Sequence, residues 1–231
     1  MARHKKAKGT DVKRSLITQQ DPKSHISEQY RTIRTNIQFA SVDKELTTIV
    51  VTSSGPAEGK STTVANLAVV FAQQGKQVLL IDSDLRKPTV HYTFNVSNTK
   101  GLTNVLTKQS ALGEVVQPSM QENLSLLTSG PIPPNPAELL SSKAMEELIK
   151  EASATYDMVL FDSPPLLAVT DGQILASKCD GTLLIVSSGK TEIEQAIKAK
   201  DLLNSVNSQL LGVILNNKKL KNPHYYSYYG E

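Results

Sequence analysis

A chain of 231 residues, 39% of them hydrophobic and 20% charged, carries enough apolar material for a core, which excludes wholesale disorder. The longest clean apolar runs, 78–81 and 183–186, are four residues long, far short of the roughly 18 that a membrane span requires, and no apolar stretch follows the basic start as a secretory leader needs. The single cysteine, Cys179, excludes an intramolecular disulfide and a multi-cysteine zinc site, so a soluble, reducing, cytoplasmic setting is expected.

Taken in chain order, the first feature is charge. Residues 1–14 hold six basic side chains against Asp11, whereas the whole chain is only +3, so the remainder is close to neutral. Residues 1–24 therefore read as a basic, flexible arm. It could touch anionic lipid or an acidic partner. Nucleic acid is not expected, because no aromatics are interleaved with the basic residues.

Residues 48–52 are apolar and rich in β-branched side chains, which predicts a buried strand. Helical spacing of Val64, Leu67, Ala68 and Phe71 predicts a helix over 60–74, stopped by Gly75. Strands follow at 77–82 and 124–128. Four prolines between 129 and 136 mark an irregular loop, after which Asn135 and Pro136 begin a helix running to about 152. Residues 158–161 and 181–187 are strands, 192–204 a helix and 211–215 the last strand. Residues 88–122 show no clear pattern. This alternation predicts an α/β fold, a doubly wound and mainly parallel sheet flanked by helices. One domain over 25–216 then leads into a flexible, tyrosine-rich tail at 217–231.

The strongest chemical signal joins the first strand to the first long helix. Gly55, Pro56, Ala57, Glu58, Gly59, Lys60, Ser61 and Thr62 approximate the phosphate-binding pattern G-x-x-x-x-G-K-[ST]; Ser54 stands where the first glycine is expected, and Gly59-Lys60-Ser61 is intact. A glycine lets backbone approach phosphate, and N–H groups at a helix start attract anions. Lys60 adds a full charge, and the Ser61 hydroxyl can ligate Mg²⁺ as in P-loop proteins. The second strand ends in Asp82 and Asp84, two residues apart and so expected to point together; the fourth ends in Asp162. In doubly wound sheets the carboxyl ends of strands are where ligands bind. Three carboxylates beside a phosphate loop make a place for a nucleoside triphosphate and Mg²⁺.

Four of the seven tyrosines, Tyr225, Tyr226, Tyr228 and Tyr229, fall within five positions after the last strand. Nothing follows to bury them, so they read as phosphate acceptors. Fifteen residues from Asn217 to Glu231 could reach roughly 50 Å when extended.

These features together resemble the bacterial protein-tyrosine kinases (BY-kinases) of capsule and exopolysaccharide synthesis, over about residues 25–231. Residues 53–62 are similar to that family's variant Walker A loop, with Ala57 where many members have glycine. Asp82-Ser83-Asp84-Leu85-Arg86 is similar to its D-x-D-x-R segment and Asp162-Ser163-Pro164 to its Walker B. Glu28, Arg31 and Arg34 match its E-x-x-R-x-x-R assembly motif, and the tail matches its tyrosine cluster.

The resemblance implies an ATP- and Mg²⁺-dependent tyrosine kinase that autophosphorylates its tail between neighbouring subunits and acts on other cytoplasmic proteins. It implies that Lys60 and the 59–62 backbone hold phosphates, that Ser61, Asp84 and Asp162 organise Mg²⁺, and that Asp82 accepts the tyrosine proton. It also implies a homo-oligomeric ring and a separate membrane activator that recruits the kinase to the inner face of the membrane, the Gram-positive arrangement. Two other readings share the loop. A partition- or division-site ATPase carries an extra lysine where this chain has Ser53, Ser54 and Gly55, and lacks a tyrosine tail. A nucleotide-binding adaptor would not need Lys60, Asp82 and Asp84.

Overall fold

The apolar runs become strands: β1 (Thr48–Ser53), β2 (Val78–Asp82), β3 (Gln117–Pro118), β4 (Leu124–Leu127), β5 (Met158–Asp162), β6 (Gly181–Ser187) and β7 (Leu210–Asn216). In this computed structural model, which describes residues 16–40 and 46–219, they form one sheet of order β3-β4-β2-β5-β1-β6-β7. Among the described residues only the β3–β4 pairing is antiparallel. The helices are α1 (Ile17–Gln20), α2 (His25–Phe39), α3 (Lys60–Ala72), α4 (Val90–Phe94), α5 (Leu102–Leu106), α6 (Leu112–Val115), α7 (Pro136–Ser141), α8 (Lys143–Thr155), α9 (Asp171–Ala176) and α10 (Ile193–Ser205).

Successive strand residues point to opposite faces, and both faces are covered, which is why the strands read as unbroken apolar runs. Ile49, Val51, Leu80, Leu160 and Ile185 face a core with α3 at its centre. Val50, Leu79, Ile81, Val159 and Phe161 face the other side, where α5 and α8 supply Leu102, Leu106, Met145 and Leu148. A smaller cluster of Leu184, Ala199 and Leu203 seats α10. Because α3 lies between sheet and outer helices, 11 of its 13 residues are buried. That is the expected α/β, doubly wound, mainly parallel sheet.

Three local expectations change. The helix expected from 136 to about 152 is two helices: Ser142 is extended (φ −67°, ψ 159°) and its side chain accepts from the Met145 N–H, restarting the helix as an N-cap. Residues 88–122 hold α4, α5 and α6, of four or five residues each, and the two-residue β3, all too short to show a period. The segment 16–24, expected to belong to the flexible arm, is packed from Leu16 onward. Thr18 is fully buried and both its backbone N–H and its hydroxyl donate to Asn66 Oδ1, at 3.1 and 2.8 Å, fastening α1 to α3. Residues 1–15 and the tyrosines Tyr225, Tyr226, Tyr228 and Tyr229 lie outside the described residues.

Candidate nucleotide site

β1 delivers the phosphate loop to the carboxyl edge of the sheet. Two residues there take left-handed backbone: Ala57 at φ +58° and Gly59 at φ +95°. Gly59 is required twice. Its φ is unfavourable for any side chain, and an added Cβ would stand 2.0 Å from Asn216 Nδ2. Gly59 gives α3 no side-chain cap, and α3 has no acidic residue in its first turn, so the helix start retains its attraction for an anion.

Lys60 is the first residue of α3, and its Nζ donates to Asp84 Oδ2 at 3.1 Å, to Asp162 Oδ1 at 3.3 Å and to the Ser61 hydroxyl at 3.3 Å. Three other predicted side chains, of Ser61, Asp84 and Asp162, thus meet at the Lys60 ammonium. Burial disfavours the charged lysine, but Asp162 and Asp84 outweigh it and raise its pKa, so Lys60 remains protonated.

The two aspartates at the end of β2, Asp82 within it and Asp84 two residues beyond, take different hydrogen-bond partners. Asp82 closes β2 in register with Asp162 on β5, and both are fully buried. Asp82 Oδ2 accepts from the N–H groups of Thr89 (2.7 Å) and Val90 (2.8 Å) at the start of α4. Asp84, two residues on, accepts from the Lys87 N–H at 3.0 Å and pairs with Lys60. Burial, reinforced by the neighbouring Asp162 charge, pushes Asp82 up to about 7 against the pull of the two N–H groups and Lys60. Asp82 Oδ1 and Asp162 Oδ2 are both buried without a hydrogen-bond partner in the protein. Arg86 forks onto the fully buried Asp171 at the start of α9, at 2.9 and 3.0 Å, holding the loop after β2 against α9.

A hard divalent cation takes oxygen ligands and carboxylates. Ser61, Asp84 and Asp162 offer such a set, and the orphaned Asp162 oxygen needs a positive partner, so these residues fit Mg²⁺.

Several contacts were not visible in the sequence. Glu58, expected among the nucleotide contacts, turns its carboxylate into the fold, where Ser54 (3.2 Å) and Thr191 (2.6 Å) donate to it. Lys190 donates to the carbonyls of Pro56 and Ala57, and Asn216 to that of Glu58, each at 2.9 Å. Away from the site, Glu28 pairs with Arg31, three residues on along α2. Arg34 leaves that row and donates to the Val70 carbonyl of α3 at 2.8 Å.

A phosphate loop at the carboxyl edge of a parallel sheet, with a lysine among strand-end carboxylates, defines a P-loop nucleotide-binding protein. A family profile described as an AAA domain matches residues 46–211. The chain is 61% identical to tyrosine-protein kinase YwqD of Bacillus subtilis (strain 168), over 98% of this chain and 95% of that protein. Among solved structures, the chimerical protein CapA2B2 superposes with a TM-score of 0.86 at 42% identity, covering 89% of this chain and 90% of its own. The kinase domain of Escherichia coli tyrosine kinase ETK gives 0.84 at 28% identity, covering 96% and 88%. The chain belongs to the bacterial tyrosine-protein kinase family. The partition-ATPase and adaptor readings are set aside by these similarities.

Proposed function

We propose that this kinase transfers the γ-phosphoryl group of ATP to its own tail tyrosines, Tyr225, Tyr226, Tyr228 and Tyr229, in a neighbouring subunit, and to other proteins in capsule or exopolysaccharide synthesis. The observation that carries the reading is the meeting of Lys60 with Asp84 and Asp162 beside the raised, half-satisfied Asp82. The backbone of 55–62 and Lys60 bind phosphate. Ser61, Asp84 and Asp162 would hold Mg²⁺, which when bound neutralises phosphate charge. Asp82 takes the tyrosine proton on Oδ1, the oxygen left over by Thr89 and Val90. An acceptor near 7 suits that task at neutral pH. Because Asp82 is fully buried, the tyrosine reaches it only after local opening, and departure of Lys60 from Asp84 and Asp162 onto phosphate is the movement we assign to that step.

A second reading has a specific observation behind it. Asp82 Oδ2 already receives two backbone N–H groups, which is how a carboxylate serves as a strut for α4. In that case Asp82→Asn lowers stability and affinity together instead of turnover alone.

Assembly completes the proposal. Glu28, Arg31 and Arg34 on α2 form the subunit contact of a homo-oligomeric ring, and a separate membrane protein activates the kinase and recruits it to the inner face of the membrane. Among the described residues no helix is long and apolar enough to cross a membrane. Each phosphate adds about −1.5 to −2 charges at neutral pH, so phosphotyrosine is expelled from a site lined by carboxylates and the ring loosens. Light scattering should find a large assembly before Mg-ATP and a smaller one after it. The four-Phe variant of Tyr225, Tyr226, Tyr228 and Tyr229 should stay large, with no phosphotyrosine on the tail. A monomer throughout, well above micromolar concentration, would remove the ring.

A further inference from the structure

The phosphate loop is held from outside by residues that come from the far half of the sheet. β6 ends at Ser187, and the turn after it brings Lys190 and Thr191 to the loop; β7 ends at Asn216. Lys190 Nζ takes the carbonyls of Pro56 and Ala57, and Asn216 Nδ2 takes that of Glu58. Three successive peptide groups are therefore gripped by their oxygens.

A trans peptide is planar, with its C=O and N–H pointing in opposite directions. Fixing the oxygen of Pro56 fixes the N–H of Ala57. In the same way the oxygens of Ala57 and Glu58 fix the N–H groups of Glu58 and Gly59. Among the described residues no hydrogen bond from those three N–H groups to a backbone or side-chain acceptor is recorded. The left-handed turns at Ala57 and Gly59 supply the alternation that gathers successive N–H groups into an anion-binding hollow. Such backbone is strained at a non-glycine residue, so Ala57 needs outside support. The Glu58 side chain adds a second fastening through Thr191 Oγ1 at 2.6 Å and Ser54 Oγ at 3.2 Å.

We infer that Lys190, Thr191 and Asn216 are positioning residues that pre-set the loop's N–H groups for the phosphate oxygens of a nucleotide, with Glu58 as an internal strut and no contact of its carboxylate with the ligand. The inference rests on the phosphate-loop reading of residues 55–62. It places the residues that set the loop on the β6–β7 side of β1, across that strand from the carboxylates of β2 and β5 that act on the transferred group.

The test is ATP affinity by calorimetry, with turnover at saturating ATP, on Lys190→Met, Lys190→Arg, Thr191→Val and Thr191→Ser. Lys190 is at the surface of the site, so Lys190→Met should fold normally. Losing its hydrogen bonds should weaken ATP binding about five- to tenfold while turnover at saturation stays within about twofold. Arginine keeps the donors and should restore affinity to within about twofold. Thr191→Val should weaken binding, and Thr191→Ser should not. The loss should persist at ~1 M salt, where the Debye length is roughly 3 Å and a long-range charge effect fades. Lys60→Met runs alongside. If Lys60→Met loses ATP but Lys190→Met and Thr191→Val bind as wild type, the positioning role is wrong and the loop reading stands. If Lys60→Met itself binds ATP normally, the loop reading falls first. A loss in Lys190→Met that vanishes at high salt, or that arginine does not rescue, also overturns the clamp.

Discussion

The two halves of the site are held in opposite ways. On the loop side the groups that stabilise the backbone are matched: three carbonyls have donors, the Glu58 carboxylate has two hydroxyls, and the glycine sits against Asn216. On the carboxylate side one lysine serves two aspartates, and Asp82 and Asp162 each keep a buried oxygen with no protein partner. A satisfied network is rigid, whereas under-satisfied buried charge is sensitive to whatever cation, proton or phosphate arrives. On the proposed function the loop side serves binding and the carboxylate side the change of charge. That division is what pre-organised phosphoryl transfer requires, since it depends on positioning and charge stabilisation more than on covalent chemistry by the protein.

The strongest way to break this contrast is to remove the cation that joins the halves. Lys60→Met should lower phosphotyrosine formation by about 10²–10³-fold or more, because it removes a fixed charge from the developing phosphoryl group. The variant should also lose stability, because Asp84 and Asp162 are left buried without the cation that pairs with them. Thermal unfolding checks this alongside a phosphotyrosine blot.

Next in size, Asp84→Ala and Asp162→Ala should each weaken Mg²⁺-dependent ATP binding, by roughly 10–100-fold if they are ligands. With a chelator present the same variants should lose their deficit relative to wild type. Calorimetry with and without Mg²⁺ decides; equal losses in both would return these residues to a purely structural role.

A smaller effect reports the strain on Asp82 directly. Its folded pKa, about 7, lies above the unfolded carboxylate range, so the native state binds the extra proton. Its contribution to stability is complete below about pH 4 and is lost as pH rises toward 7. In nucleotide-free protein treated with chelator, Asp82→Asn should abolish this part of the slope and gain stability relative to wild type on going from pH 5 to pH 8. Denaturant unfolding across that range is the check; a parallel pair of curves would contradict the assignment.

The same contrast explains what was legible in the sequence. The carboxylate side could be read because Asp82 and Asp162 end apolar runs, and a charge at the end of a buried strand is conspicuous. Gly59, Lys60 and Ser61 were legible for a similar reason, lying together in a strand–loop–helix pattern. Residues that grip the loop were not. Lys190, Thr191 and Asn216 lie more than 130 residues from it in sequence, and no local period marks them. Glu58 looked like a loop residue open to ligand, and only the packing of β6 and β7 beside β1 buries it. Ser142 failed differently: its N-cap bond to Met145 competes locally with a helix that the apolar spacing favoured. Arg34 is legible as part of the assembly motif, but its bond to the Val70 carbonyl of α3 is tertiary and leaves no mark in the sequence.

In the proposed function Asp82 acts on the transferred group and not on binding. Single-turnover transfer from labelled ATP to a tyrosine-containing tail, measured with ATP affinity on the same preparation of Asp82→Asn, tests it most directly. We predict a fall in the transfer rate of about 10²–10⁴-fold with ATP affinity changed less than about threefold. A variant that transfers at the wild-type rate, or one that loses affinity and rate in equal measure, would contradict the claim and leave Asp82 as the strut that holds Thr89 and Val90.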